Sequence, residues 1–154
     1  MLHVDEAALL VDRVETPIGT LHLASRGGAL CAAGFAPISS GSRAPIMAAA
    51  RVRAYFEGDL GALDDLEVDP RGTPFQRAVW ALLRKIPAGE TRSYGRIAAL
   101  LGSGARAVGT ANAANPIALV IPCHRVIASS GALCGYAWGE ERKRWLLAHE
   151  RRAA

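Results

Sequence analysis

Ser93-Tyr94-Gly95-Arg96-Ile97-Ala98-Ala99-Leu100-Leu101-Gly102-Ser103-Gly104-Ala105-Arg106-Ala107-Val108-Gly109 decides how this chain is read. The Ser93 hydroxyl can cap a helix that runs from Tyr94 to Leu101, and Gly102 is suited to end it. Ser103-Gly104 makes a tight turn, and a second helix is predicted over 105–114, stopped by Asn115-Pro116. Two short helices on a glycine turn suggest a helix-turn-helix; a plain helical hairpin in a small core fits the pattern equally well. The second helix is almost without bulk. Ala105, Ala107, Gly109, Ala111, Ala113 and Ala114 surround Arg106, its one large polar side chain. Small residues serve helix propensity, and they would also let a helix enter a minor groove about 6 Å wide.

Upstream, Thr73-Pro74 predicts a helix start, with a hydroxyl cap followed by proline where no N–H is needed. Phe75, Val79, Leu82, Leu83 and Ile86 lay an apolar stripe along it, and Pro87-Ala88-Gly89 breaks the chain. Downstream, the apolar run Ile117-Ala118-Leu119-Val120-Ile121 predicts a buried, strand-like segment leading into Pro122-Cys123-His124-Arg125. A thiol beside an imidazole suits nucleophilic chemistry, because a neighbouring base or cation is what makes a thiolate available. Neighbours on a strand point to opposite faces, so a buried structural cysteine followed by a basic pair is the alternative. A last helix over 140–152 carries Trp145, Leu146 and Leu147 as core anchors, with Glu150 in its final turn.

The front of the chain has a different rhythm. The apolar run 7–11, a turn at Thr16-Pro17-Ile18-Gly19, alternation in Thr20-Leu21-His22-Leu23, and a turn at Gly27-Gly28 before 29–35 predict short strands. Residues 36–43 read as loop, 45–56 as a helix ended by Gly58, and the acidic stretch 59–72 as a linker. Charge follows the same division. Residues 1–70 carry five Arg against ten Asp and Glu, whereas residues 71–154 carry eleven Arg and two Lys against four Glu. A basic back half is the electrostatic footprint of a polyanion partner, or else a solvated arginine-rich surface.

With 154 residues, the chain can hold one domain or two small ones. No apolar run approaches the roughly 20 residues that span a bilayer. Asp5 and Glu6 stand where a secretory signal would be basic, so no signal peptide is expected. Cys31, Cys123 and Cys134 make an odd set without a C-x-x-C pair. That argues against disulfides or a zinc site and for a reducing cytoplasm. The spacing of His3, His22 and Cys31 supports no metal site either.

Taken together, these segments resemble the O6-alkylguanine-DNA alkyltransferases. The matching text is Thr73-Pro74-Phe75-Gln76, Val79-Trp80, Ile86-Pro87, Ser93-Tyr94-Gly95, Arg106-Ala107-Val108-Gly109 and Asn115-Pro116. It continues with Ile121-Pro122-Cys123-His124-Arg125-Val126, Gly135-Tyr136, Lys143 and Leu146-Leu147-Ala148-His149-Glu150, while Thr16-Pro17-Ile18-Gly19 resembles the opening of the family's N-terminal domain. The resemblance implies an α+β protein. Residues 1–70 would form a small α/β, ribonuclease-H-like domain with its linker, and residues 71–154 a mainly helical domain with a helix-turn-helix. It implies repair by direct reversal, in which Cys123 accepts the alkyl group of O6-alkylguanine once and irreversibly; O4-alkylthymine is a further candidate substrate.

By the same resemblance, His124 takes the thiol proton through a water and Glu150 holds His124. Tyr94 protonates the leaving guanine near N3, with Lys143 in support. Val126, Tyr136 and Ala137 read the base. Arg106 fills the place of the flipped nucleotide, and Ala105, Ala107, Gly109, Ala111 and Arg125 complete the DNA surface. Asn115 is the hinge between the DNA-binding helix and the active-site strand. No cofactor or metal is implied. The partner would be double-stranded DNA, bound through its minor groove by a monomer, with cooperativity along the DNA left open.

Three departures from the family pattern bear on this. The turn before Arg106 is shorter, Ala118 replaces a frequent proline, and Trp138 replaces a frequent glycine. The last two should reshape the pocket, so that methyl is accepted and free O6-benzylguanine reacts poorly. The four-cysteine domain of adaptive-response relatives is not expected. Two other functions compete with alkyl transfer: a module that recognises alkylated DNA and recruits excision repair without chemistry, and a Cys-His hydrolase of small amides.

Overall fold

Alternation in the first strands is what folds the front of the chain. The computed structural model describes residues 8–153. Strands β1 (Leu10–Thr16), β2 (Gly19–Arg26) and β3 (Ala29–Gly34) form an antiparallel meander, and β4 (Ser42–Arg43) joins β1 in parallel, giving the order β3-β2-β1-β4. The expected turns are both present. At the first, the Thr16 hydroxyl donates to Gly19 O (2.6 Å) and accepts from Ile18 N (3.2 Å). At the second, Gly27 and Gly28 both take positive φ, +61° and +85°, which few other residues tolerate. Val14, Leu21, Leu23, Leu30 and Ala33 turn inward and meet Ala48, Ala49, Val52 and Tyr55 of α1 (Met47–Phe56). Gly58, at φ +115°, lies just past the end of α1.

The stretch 59–72, read as a linker, is packed instead. Leu60, Leu63 and Leu66 recur every third residue, and the last two are buried with Ala62. Leu30 N donates to Glu67 O and Asp69 N to Leu30 O, both at 2.9 Å, so the segment runs along β3. Arg84 crosses from the back half to donate to the carbonyls of Leu66, Leu63 and Asp64. The acidic residues masked an apolar spacing that the core uses.

In the back half the expected caps hold. Helix α2 (Pro74–Leu83) begins in a reciprocal box, with Gln76 N donating to Thr73 Oγ1 (3.1 Å) and Thr73 N to Gln76 Oε1 (2.9 Å). Helix α3 (Tyr94–Leu101) is capped by Ser93, which accepts from Arg96 N, and ends at Gly102 in the left-handed region. Helix α4 (Ala105–Ala113) starts at Gly104 and packs on α2, where the buried Trp80 indole donates to Ala111 O (2.8 Å). A short parallel pair, β5 (Arg92–Ser93) with β6 (Val126–Ile127), ties the start of α3 to the residues after Arg125. Helix α5 (Glu140–Ala153) closes the back half. Among the described residues, no helix is long and apolar enough to cross a membrane.

The strand expected over 117–121 is not one. Only Ile117 bridges to a strand, through Ala33: Ala118 N donates to Ala33 O and Ala33 N to Pro116 O. Beyond it the chain coils back on itself, with Val120 N bonded to Ala118 O, Ile121 N to Ile117 O, and Leu119 at φ +73°. Every residue from 117 to 126 is buried. The apolar run is therefore interior, but its backbone groups are satisfied locally rather than in a ladder.

Candidate active site

Cys123, His124 and Arg125 form a single 3₁₀ turn, entered through Pro122 and left through β6. On a turn of this kind successive side chains diverge by about a third of a circle, not half, so the strand objection to the Cys-His pair lapses. Two asparagines on the approach fix the turn. Asn115 donates to Ile121 O (2.8 Å) and accepts from Ile117 N (2.9 Å), clasping both ends of the coil. Asn112 donates to Cys123 O (3.3 Å).

Behind the turn lies a buried charge cluster. His124 Nε2 is 2.8 Å from Glu150 Oε2, and both residues are fully buried. Arg125 forks onto the same carboxylate, Nε to Oε1 at 2.9 Å and Nη2 to Oε2 at 2.8 Å, and donates to Ile86 O (2.7 Å). This corrects the expectation that Arg125 lies on the DNA surface: a bidentate fork matched to a carboxylate holds it inside. Tyr55 Oη also donates to Glu150 Oε2 (2.6 Å), and Gly89 N approaches Oε1 at 3.4 Å.

These surroundings set the protonation states. Burial pushes the Cys123 thiol up to about 11, against smaller opposite pulls from the Asn115 amide and the Lys143 charge. Burial also lowers His124, outweighing the Glu150 carboxylate that would raise it, so its imidazole is neutral near pH 7. Burial would raise Glu150, but the His124 and Arg125 bonds and charges hold it well below the usual carboxylate range. The resting pair is a thiol and a neutral imidazole, not an ion pair. With Nε2 turned to Glu150, His124 Nδ1 has no hydrogen-bond partner among the described residues, and neither do the buried Tyr136 hydroxyl and Asn112 Oδ1.

Lys143 is buried and donates to Val126 O (2.6 Å) and Cys134 O (3.2 Å), which draws the 3₁₀ turn and the 134–136 stretch together. The Tyr94 hydroxyl donates to the same Cys134 carbonyl (3.1 Å). Gly135, at φ +81°, lets the chain pass Tyr94; a Cβ there would sit 2.9 Å from its hydroxyl oxygen. Tyr94, Cys134 and Gly135 form one wall of a surface depression whose other wall is Ala105, Arg106, Gly109, Thr110 and Ala113 of α4. Arg106, Ala105, Ala107 and Ala137 are exposed and Gly109 is half-buried.

Three further residues stand away from this depression. Ala111 is buried, and its carbonyl accepts from the Trp80 indole of α2. Ala118 is buried against β3. Trp138, expected at the mouth of the pocket, packs on Gly34 and edge-on to Phe35 at 5.9 Å, because only a glycine in β3 leaves room for its indole. Reading by motif missed Asn112 and Tyr55. A lone buried amide in an alanine-rich helix was the available sign of the first; nothing local marks the second, 95 residues from its partner.

Residues 74–152 match the family described as "6-O-methylguanine DNA methyltransferase, DNA binding domain". Over 150 residues the chain is 49% identical to a methylated-DNA–protein-cysteine methyltransferase of Mycolicibacterium paratuberculosis, a match covering 90% of each. It is 58% identical over 98 residues to the protein of that name in Salmonella typhimurium, a match that takes in 62% of this chain and 57% of that relative. The crystal structure of Mycobacterium tuberculosis OGT in complex with DNA superposes with a TM-score of 0.84 at 45% identity, covering 94% of both chains. Together with the buried thiol, imidazole and carboxylate, these likenesses identify the chain as a member of the methylated-DNA–protein-cysteine methyltransferase family.

Proposed function

We propose that this protein repairs DNA by direct reversal, taking the alkyl group of O6-alkylguanine onto Cys123. The observation that carries this is the thiol on a fixed turn whose next residue, His124, is held by Glu150 with its second ring nitrogen unengaged. In the reaction Cys123 Sγ attacks the alkyl carbon, an S–C bond forms and the C–O6 bond breaks. The thiol proton passes towards His124 Nδ1 as attack proceeds, and Glu150 stabilises the imidazolium that forms. The guanine leaves as an anion unless protonated, and we assign that proton to Tyr94, with Lys143 in support. A thiol held at about 11 by burial is unreactive until a base removes its proton, which guards it against stray electrophiles. The thioether product has no leaving group that water could displace. Each molecule therefore acts once.

DNA would be met by α3 and α4 acting as a helix-turn-helix in the minor groove. Arg106 enters the base stack, and the alanines beside it permit the close approach. Residues 71–154 would form the domain that holds both surface and site, and residues 1–70 its α/β companion. We place the reaction in the cytoplasm, on O6-methylguanine first and O4-alkylthymine second. Incubation with duplex DNA containing one O6-methylguanine should add one methylene mass to the protein and restore guanine in the DNA, with no gain in Cys123→Ala. Tight lesion binding without mass gain would favour a non-catalytic recognition module.

A further inference from the structure

We propose that Tyr55 is a positioning residue for alkyl transfer, its hydroxyl setting how strongly Glu150 draws a proton onto His124. This rests on the alkyl-transfer reading above but concerns a residue outside every motif that supports it. Tyr55 lies on α1, beside the sheet of the front half, and is fully buried. Its hydroxyl meets Glu150 Oε2 at 2.6 Å, the oxygen that faces His124 Nε2 at 2.8 Å. Arg125 Nη2 is the third donor on that atom. A carboxylate oxygen has about two lone pairs, so three donors compete for the same density. Each takes charge that would otherwise stabilise the imidazolium.

The placement is held from both sides. His149, next to Glu150 on α5, bonds the Tyr55 backbone carbonyl through Nε2 at 2.8 Å, and the Tyr55 ring meets Phe56 and His149 edge-on. Burial, reinforced by the Glu150 charge, raises the phenol far above its ordinary range, so it stays a donor at any working pH. The groups acting on His124 are then Glu150 and Lys143 from α5, Arg125 from its own turn, and Tyr55 acting through Glu150 from α1. Arg125 and Lys143 lower its proton affinity directly, and Tyr55 lowers it by weakening the carboxylate's pull. The balance leaves His124 neutral at rest but able to accept the thiol proton during attack. The front half therefore contributes to the chemistry as well as to the core.

The test is Tyr55→Phe in the full chain, with two readouts. One is the NMR titration of the His124 ring nitrogens in resting protein. The other is single-turnover methyl transfer from duplex DNA bearing one O6-methylguanine, between about pH 5 and 9. Both the ring titration and the acidic limb of the rate profile should move up by about half a pH unit, because the freed carboxylate holds the imidazolium more tightly. A fluorinated tyrosine at position 55, a stronger donor, should move both down, and it keeps the test open if the phenylalanine variant does not fold. A folded Tyr55→Phe protein with both readouts unmoved would overturn the proposal, even if it were less stable. Wild-type protein that transfers no methyl group would sink the alkyl-transfer reading instead; the ring titration would still decide whether Tyr55 tunes His124.

Discussion

Around the Cys123 turn, a carboxylate, a guanidinium, an imidazole and an ammonium are all shielded from water, while on the neighbouring face of α4 Arg106 stands exposed among alanines. Both regions are basic in sequence, and they use their charge in opposite ways. Arg125 is consumed by Glu150 and a backbone carbonyl, so its charge serves the buried His124–Glu150 pair. Arg106 bonds no residue through its side chain among the described contacts and, like the exposed Arg77 and Arg96, keeps its charge open to solvent. Counting arginines thus overstates the DNA surface, and burial decides which of them can reach it.

The sharpest way to break this contrast is to exchange the fates of the two arginines. Arg125→Ala leaves the Glu150 carboxylate buried without its guanidinium and should cost about 3–5 kcal/mol in denaturant unfolding. A cost under about 1 kcal/mol, alongside weakened DNA binding, would return Arg125 to the surface. Arg106→Ala should behave in the reverse manner. Unfolding should stay within about 0.5 kcal/mol of wild type, while affinity for duplex DNA measured by fluorescence anisotropy falls about tenfold, near 1.4 kcal/mol. A destabilised variant with intact binding would mean that the α4 face is structural.

A smaller effect comes from pH. His124 binds its proton less readily when folded than its ordinary value of 6.5, so below that value the unfolded chain gains a proton first and stability falls. Glu150 is depressed when folded, so its contribution is present above its ordinary 4.5 and is lost as pH drops through that range. Thermal unfolding should therefore weaken in two steps on acidification. His124→Gln should remove the upper step and keep the lower.

Much of the back half was legible because its signals are local. Thr73 before Pro74, Ser93 before Tyr94, and Gly102 after Leu101 each cap a helix within a few residues of sequence, and the structure closes those caps. Cys123 and His124 were legible from their motif. What could not be read depends on partners remote in the chain. Five apolar residues over 117–121 fit a strand or a buried coil alike, and only Asn115 and Ala33 decide for the coil. The fork of Arg125 on Glu150 spans 25 residues, the Tyr55 bond spans 95, and the Trp138 site depends on a glycine in β3. Segment 59–72 was misread for another reason: its acidic residues outnumber the three leucines that carry its packing.

The contrast between interior and surface meets most directly in two cysteines, since Cys123 is buried on the turn next to His124 and Cys134 is exposed on the rim of the depression. The decisive measurement is a titration of the protein with excess duplex DNA carrying labelled O6-methylguanine, followed by peptide mapping. Label transfer should stop at one methyl group per chain, all of it on the peptide containing Cys123. Label on Cys134, or repair continuing beyond one lesion per molecule, would contradict it.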